Sequence, residues 1–182
     1  MKKIFAILAL AISGTAFAAD YVSVDVENVQ GRKGGTDSTA QYVRAGKGFG
    51  DYQFGLQSRT ARFDTGVVVN SLEVTAANNK ISVAGIRPFV GVGHDNGFDG
   101  GQSFNYGLVG ATYGLPVGPG FLLTGVKTRV GSTEDAARTK QTVGFATYLI
   151  PVAKGVAVNL NASRSGQSIK ENAVGAGLAF NF

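Results

Sequence analysis

The stretch from Val174 to Phe182 alternates strictly. Val174, Ala176, Leu178, Phe180 and Phe182 are apolar, and Ala173, Gly175, Gly177, Ala179 and Asn181 beside them are small or polar. Side chains two apart share one face of a β-strand, so this segment meets a different environment on each face.

The same period of two recurs along the chain. Ten segments read as strands, separated by Gly, Pro, Asn and Asp turn signals: about 20–30, 39–48, 52–62, 67–76, 80–93, 103–114, 121–131, 139–150, 156–164 and 171–182. In the first, Val22, Val24 and Val26 oppose Ser23, Asp25 and Glu27. In the third, Tyr52, Phe54 and Leu56 oppose Gln53, Gln57 and Arg59. The seventh sets Leu122, Val126 and Val130 against Lys127 and Arg129. By the same pattern Phe104, Tyr106 and Leu108 point outward in the sixth strand, with Asn105 and Gly107 inward. Val143, Phe145 and Leu149 point outward in the eighth, and Leu160 in the ninth, where Asn159 and Asn161 point inward. The fifth segment is inconsistent, because Ile81 and Val83 fall on the side of Arg87. Pro88 cannot donate to a ladder, so a bulge near it that switches the parity is expected. Connections after strands 1, 5, 7 and 9 are long and polar. Those after 2, 4, 6 and 8 are short, and the one after strand 3 is a short exception.

The N-terminus adds a compartment. Lys2 and Lys3 precede a short apolar stretch, Ile4 to Ile12, and Ala16-Phe17-Ala18 fits a small-x-small cleavage site. The stretch is shorter than the roughly 18–20 residues that span a bilayer. Residues 1–18 are expected to be a cleaved signal peptide and 19–182 a single domain. The chain has no cysteine, hence no disulfide framework, and its 27 glycines suit tightly curved strands. Of the net charge of +5, Lys2 and Lys3 supply two, which leaves +3 for the mature chain. No dense basic cluster interleaved with aromatics is present, so a nucleic-acid partner is not expected.

No later segment has the unbroken apolar length of a transmembrane helix. The mature chain is therefore a soluble exported β-protein or a closed barrel in lipid. The charge on the inner face decides between them. Asp25, Glu27, Arg44, Arg59, Glu73, Arg87, Lys127 and Arg129 would all share it. That is a charged interior, unlike the apolar core a soluble sandwich needs. The expected fold is an all-β, closed antiparallel transmembrane barrel of ten strands, with eight as the rival count.

The signal peptide, the alternating strands and the Val174-to-Phe182 run together resemble the small outer-membrane barrels of Gram-negative bacteria, of the outer-membrane-protein-A-like and opacity-like type. The resemblance covers the whole mature chain and is one of pattern. It implies residence in the cell outer membrane among lipid and lipopolysaccharide. It also implies that Phe180 and Phe182 form the C-terminal signal read by the barrel-insertion machinery. A peptidoglycan-binding domain of the kind that larger relatives carry is not expected.

The resemblance implies no single activity, because this fold hosts scaffolds, pores and enzymes. The leading expectation is a non-enzymatic scaffold or surface-interaction protein, whose inner charges pair into a plug and whose loop partner is unknown. The alternative is a narrow, porin-like channel, with the excess of inner bases favouring anions. A third is a rim enzyme built on the single histidine, His94, with Asp95, Asp99 and Ser103 near it. However, neighbours in a strand point oppositely, and a solvated loop is the simpler account. Asp95 to Gly101 offers oxygen ligands of the kind calcium takes, without EF-hand spacing. No catalytic, cofactor-binding or metal-binding residues are expected. Arg32, Lys33, Arg138, Lys140 and Lys170 are placed to meet lipopolysaccharide phosphates or plain solvent.

Overall fold

The protein is described by a computed structural model that covers residues 21–32, 35–96, 103–131, 141–167 and 170–181. The expected signal peptide and Phe182 lie outside the described residues. The chain folds into ten strands: β1 Tyr21–Gly31, β2 Ser38–Phe49, β3 Tyr52–Phe63, β4 Val68–Asn78, β5 Ile86–Asp95, β6 Phe104–Val117, β7 Gly120–Val130, β8 Gln141–Ala153, β9 Val156–Gln167 and β10 Glu171–Asn181. Each pairs antiparallel with its neighbours in sequence. β10 returns to β1, with Tyr21 opposite Asn181 and Gly31 opposite Glu171, and closes the barrel.

The outer wall is a band of exposed apolar side chains. Leu72, Val92, Val109, Val126, Leu160 and Val174 are among those between 45% and 65% exposed. So much bare apolar surface around a closed sheet has lipid as its natural solvent. Near the end that carries the two-residue turns Gly50-Asp51, Gly118-Pro119 and Lys154-Gly155, the aromatics Phe49, Tyr52, Phe54 and Tyr113 also face outward. An aromatic girdle of this kind marks a membrane–water interface.

The structure revises expectations on three strands, the fifth, sixth and eighth, and on the connections between strands. The fifth strand begins at Ile86, not near residue 80. Val83 and Ile86 exchange both backbone hydrogen bonds (3.1 and 3.0 Å) across Ala84 and Gly85, which have φ of 52° and 80°. This is a separate two-residue hairpin turn. Ile81 and Val83 belong to it and never share a strand with Arg87. β5 pairs with β6 without interruption from Ile86 opposite Tyr113 to Asp95 opposite Phe104, so no bulge forms at Pro88. Among the described residues the one register shift lies between Pro151 and Ala153 in β8. The alternation of connection lengths also weakens. Residues 79–85 form a long connection among the short turns, and β9 runs on to Gln167, so that only 168–170 separate it from β10.

The second revision concerns the sixth strand. Phe104, Tyr106 and Leu108 are 7%, 4% and 1% exposed and point into the barrel, while Asn105 and Val109 point out. The third concerns the eighth. Thr147 hydrogen-bonds Asn161 across the pair (2.8 Å), which puts Val143, Phe145 and Leu149 on the inner face with it. Both have the same cause. The inward rings of Tyr106, Phe89, Phe145, Phe121 and Tyr21 lie over Gly93, Gly110, Gly125, Gly114 and Gly46 of the neighbouring strand. A Cβ at Gly125 would stand 2.7 Å from the Phe145 ring tip. Glycine removes the side chain that would otherwise exclude an aromatic from so narrow a lumen.

Two measurements test the facing of the strands. The chain has no tryptophan, so Val109→Trp and Tyr106→Trp each introduce a single reporter. Brominated lipids are expected to quench the fluorescence of Val109→Trp strongly and that of Tyr106→Trp little, and the reverse would restore the sequence-based parity. Leu160→Arg places a charge in the lipid-facing band and is expected to lower unfolding free energy by about 2–4 kcal/mol, while the inward Thr147→Ser, which keeps its hydroxyl, costs much less. Urea unfolding in lipid vesicles measures both.

Candidate functional site

The lumen holds a belt of charged and polar groups built from alternate residues of eight strands. Asp25 on β1 is its most enclosed member, at 1% exposure. Its Oδ2 accepts hydrogen bonds from Arg44 Nη1 and from Ser23 Oγ (3.1 Å). Its Oδ1 accepts from the amides of Asn159 and Asn161 (the latter at 3.0 Å), which stand on β9, beyond β10. Gly175 and Gly177 of β10 permit this reach. A Cβ at Gly177 would sit 2.5 Å from Asp25 Oδ1, and one at Gly175 2.5 Å from Glu27 Cγ. The alternation of the last strand thus serves both faces, with apolar residues to lipid and glycine beneath the acids.

Arg44 links this cluster to the next. Its Nη2 donates to Glu27 (3.2 Å), its Nε donates to Gln57 (3.0 Å), and its guanidinium lies 4.2 Å from the centre of the Tyr42 ring. Gln57 in turn donates to Glu73 on β4 (3.2 Å). Glu73 also accepts from Lys127 Nζ (2.5 Å) and Tyr106 Oη (3.1 Å), with Arg129 at 3.8 Å. Lys127 and Arg129 stand on β7, so these bonds cross the lumen rather than follow its wall. Arg129 also faces Asp95 at 3.6 Å and lies 4.3 Å from the Tyr106 ring centre. The belt is a chain of opposite charges and amides, the arrangement that offsets the cost of withdrawing ions from water.

Of the eight inner charges expected from the sequence, six belong to this chain of contacts. Arg59 donates to the Tyr42 hydroxyl (3.2 Å), and Arg87 donates to Gln53 (2.7 Å) nearer the two-residue turns. Among the described residues neither makes an ion pair. Asp95 and Tyr106 were not foreseen as members. The uninterrupted alternation Arg87, Phe89, Gly91, Gly93, Asp95 carried the signal for Asp95, once the bulge at Pro88 is removed. Toward the opposite end, Val29, Ala40, Ala61, Phe63, Val69 and Ala173 pack into a small apolar cluster beside the belt.

The residues of the rim-enzyme expectation separate. His94 faces outward, its Nδ1 2.9 Å from Asn105 Oδ1, while Asp95 faces the lumen. Asp99 lies outside the described residues, as does most of the oxygen-rich loop Asp95 to Gly101. Among the described residues no group of three or more His, Cys, Asp and Glu is placed to hold a metal ion. Arg32 turns to the Ser165 carbonyl (2.6 Å), and Lys170 stands at the mouth of the lumen. Lys33, Arg138 and Lys140 lie outside the described residues. Phe180 lies on the outer side of β10, opposite Val22 and Val156.

The belt's contribution to stability is open to measurement. Asp25→Ala strands Arg44 without its main partner and is expected to lower unfolding free energy by about 3–5 kcal/mol. Asp25→Ala combined with Arg44→Ala is expected to cost less than the sum of the two single changes. Urea unfolding, read by heat-modifiable gel mobility, gives both values.

The sequence matches no protein-family model and no curated protein. Solved structures share its architecture. The β domain of the Bordetella autotransporter BrkA aligns over 90% of this chain and 99% of its own, at 10% identity and a TM-score of 0.51. Outer membrane phospholipase A from Escherichia coli aligns over 92% and 98%, at 12% identity and a TM-score of 0.48. Neisserial surface protein A aligns over 89% and 96%, at 12% identity and a TM-score of 0.45. At these identities the likeness is one of fold, and the fold is that of the Gram-negative outer-membrane β-barrels.

Proposed function

We propose that the protein is a narrow, non-enzymatic channel of the outer membrane that favours small anions. The observation that carries this reading is a single cavity of about 1310 Å³ whose lining draws on both ends of the barrel. Thr36 and Lys170 line it at one end, and Gly120 and Asn181 at the other. The charged belt narrows the passage between them. Arg59 and Arg87 both line it and make no direct ion pair among the described residues, although Glu171 and Asp95 act on Arg59 at longer range. Unmatched positive charge in a narrow polar lumen lowers the barrier for anions and raises it for cations. The cross-lumen bonds of Glu73 with Lys127 favour a second reading, a braced scaffold whose work is done by its loops.

Single-channel recording of the refolded protein in planar bilayers separates the two. Discrete steps are expected, with a reversal potential displaced toward that of chloride in a salt gradient. Arg59→Glu is expected to reduce that displacement. A silent bilayer from protein that shows heat-modifiable mobility would overturn the channel and leave the scaffold.

A further inference from the structure

Below the belt, toward the two-residue turns, the lumen changes character. Phe89, Phe121, Leu123, Phe145 and Leu149 of β5, β7 and β8 line the cavity there. They face the lumen and not lipid, yet they do not close into a packed core. Phe121 remains 43% exposed, and the other four are partly exposed. An apolar wall facing an open cavity is unfavourable until something apolar covers it.

The charge of this chamber is also distinctive. Asp25, Glu27, Glu73 and Asp95 lie at the belt or beyond it, and Glu171 stands at the far mouth. Among the described residues that line the lumen below the belt, Arg87 is the sole charged side chain. Gln53 Oε1 accepts one of its hydrogen bonds at 2.7 Å, and this holds the guanidinium on one side of the chamber. The rest of the planar fork has no protein acceptor among the described residues. A fixed guanidinium beside an apolar wall is complementary to a carboxylate on an apolar body.

We infer that this chamber binds a small amphipathic monocarboxylate, with its carboxylate on Arg87 and its apolar body against Phe121, Phe145 and Leu149. The inference rests on the channel reading for the route of the solute and names the solute's class. Binding itself needs only access from the turn-side mouth. A second carboxylate would have no cationic partner in this chamber, so dicarboxylates are disfavoured. An uncharged ligand would leave the guanidinium desolvated and unmatched.

The test titrates 3-phenylpropionate into the barrel in phospholipid nanodiscs, by isothermal calorimetry and by the NMR signal of the Arg87 side-chain Nε–H. Saturable one-to-one binding that shifts this signal is expected. Arg87→Gln is expected to weaken binding at least about tenfold, the loss that accompanies removal of one charged hydrogen-bond partner. 3-Phenylpropanol is expected to bind at least as much more weakly, while Arg87→Lys retains part of the affinity and His94→Gln, on the outer face of β5, leaves it unchanged. Phe145→Ser, whose folding is checked by heat-modifiable mobility, is expected to weaken 3-phenylpropionate more than acetate. Decanoate in the same titration separates a membrane-derived acid from a water-borne aromatic one, according to which binds more tightly. Equal affinity in Arg87→Gln, or for the alcohol, would overturn the inference. So would a protein that conducts in planar bilayers yet shows no saturable binding. Binding by a protein that does not conduct would sustain the site and overturn only the channel.

Discussion

In hydrocarbon every backbone N–H and C=O has to find its partner within the protein, and the pairing of β1 with β10 is what meets that demand here. The eleven opposed positions from Tyr21–Asn181 to Gly31–Glu171 remove the last two sheet edges. An open edge in lipid would strand a row of polar groups at several kcal/mol each. Closure then imposes everything else. It fixes one face of every strand toward lipid and the other toward a lumen of limited width, and that lumen has to be filled with side chains that tolerate each other.

The lumen is filled by two devices. On the β9–β10–β1–β2 side, glycines beneath Asp25 and Glu27 let Asp25 lean across β10 to reach Asn159 and Asn161, while Arg44 on the adjacent β2 bonds both acids. On the β5–β8 side, glycines receive aromatic rings from the strand beside them. Charge meets charge in the first region and ring meets bare backbone in the second. Glu73 joins them, since it bonds Gln57 on its own side and Lys127 and Tyr106 on the other. This join is both a brace and a constriction, and for that reason the same belt bears on scaffold and channel alike.

Function follows from what the belt leaves unfilled. Most inner charges pair directly with neighbours, whereas Arg59 and Arg87, one on each side of the constriction, make no direct ion pair among the described residues. The lining is polar and charged at the middle, with apolar surface toward the turns. On the channel reading proposed above, such a passage would discriminate by charge at its waist and by hydrophobic contact at its turn-side mouth. The outward-facing His94 and the inward-facing Asp95 illustrate the opposite case, in which sequence neighbours share nothing because the sheet sends them to different solvents.

Period-two alternation pointed to ten strands, with eight as the rival count, to a closed barrel, and to one shared face for Asp25, Glu27, Arg44, Arg59, Glu73, Arg87, Lys127 and Arg129. A charged residue in one phase labels the polar side without ambiguity, because lipid will not take it. Where both phases are apolar or small, as in Phe104 to Val109 and Val143 to Leu149, alternation shows that two faces exist and not which is which. Only the neighbouring strand decides, through the presence or absence of a Cβ at Gly93 and Gly125. The expected bulge at Pro88 failed for a related reason, since the turn at Ala84-Gly85 ends the hairpin before the conflicting residues enter the strand. The pairing of Asp25 with β9 and of Glu73 with β7 was equally hidden. Contacts that cross the lumen depend on the curvature and stagger of the closed sheet, which no local pattern encodes.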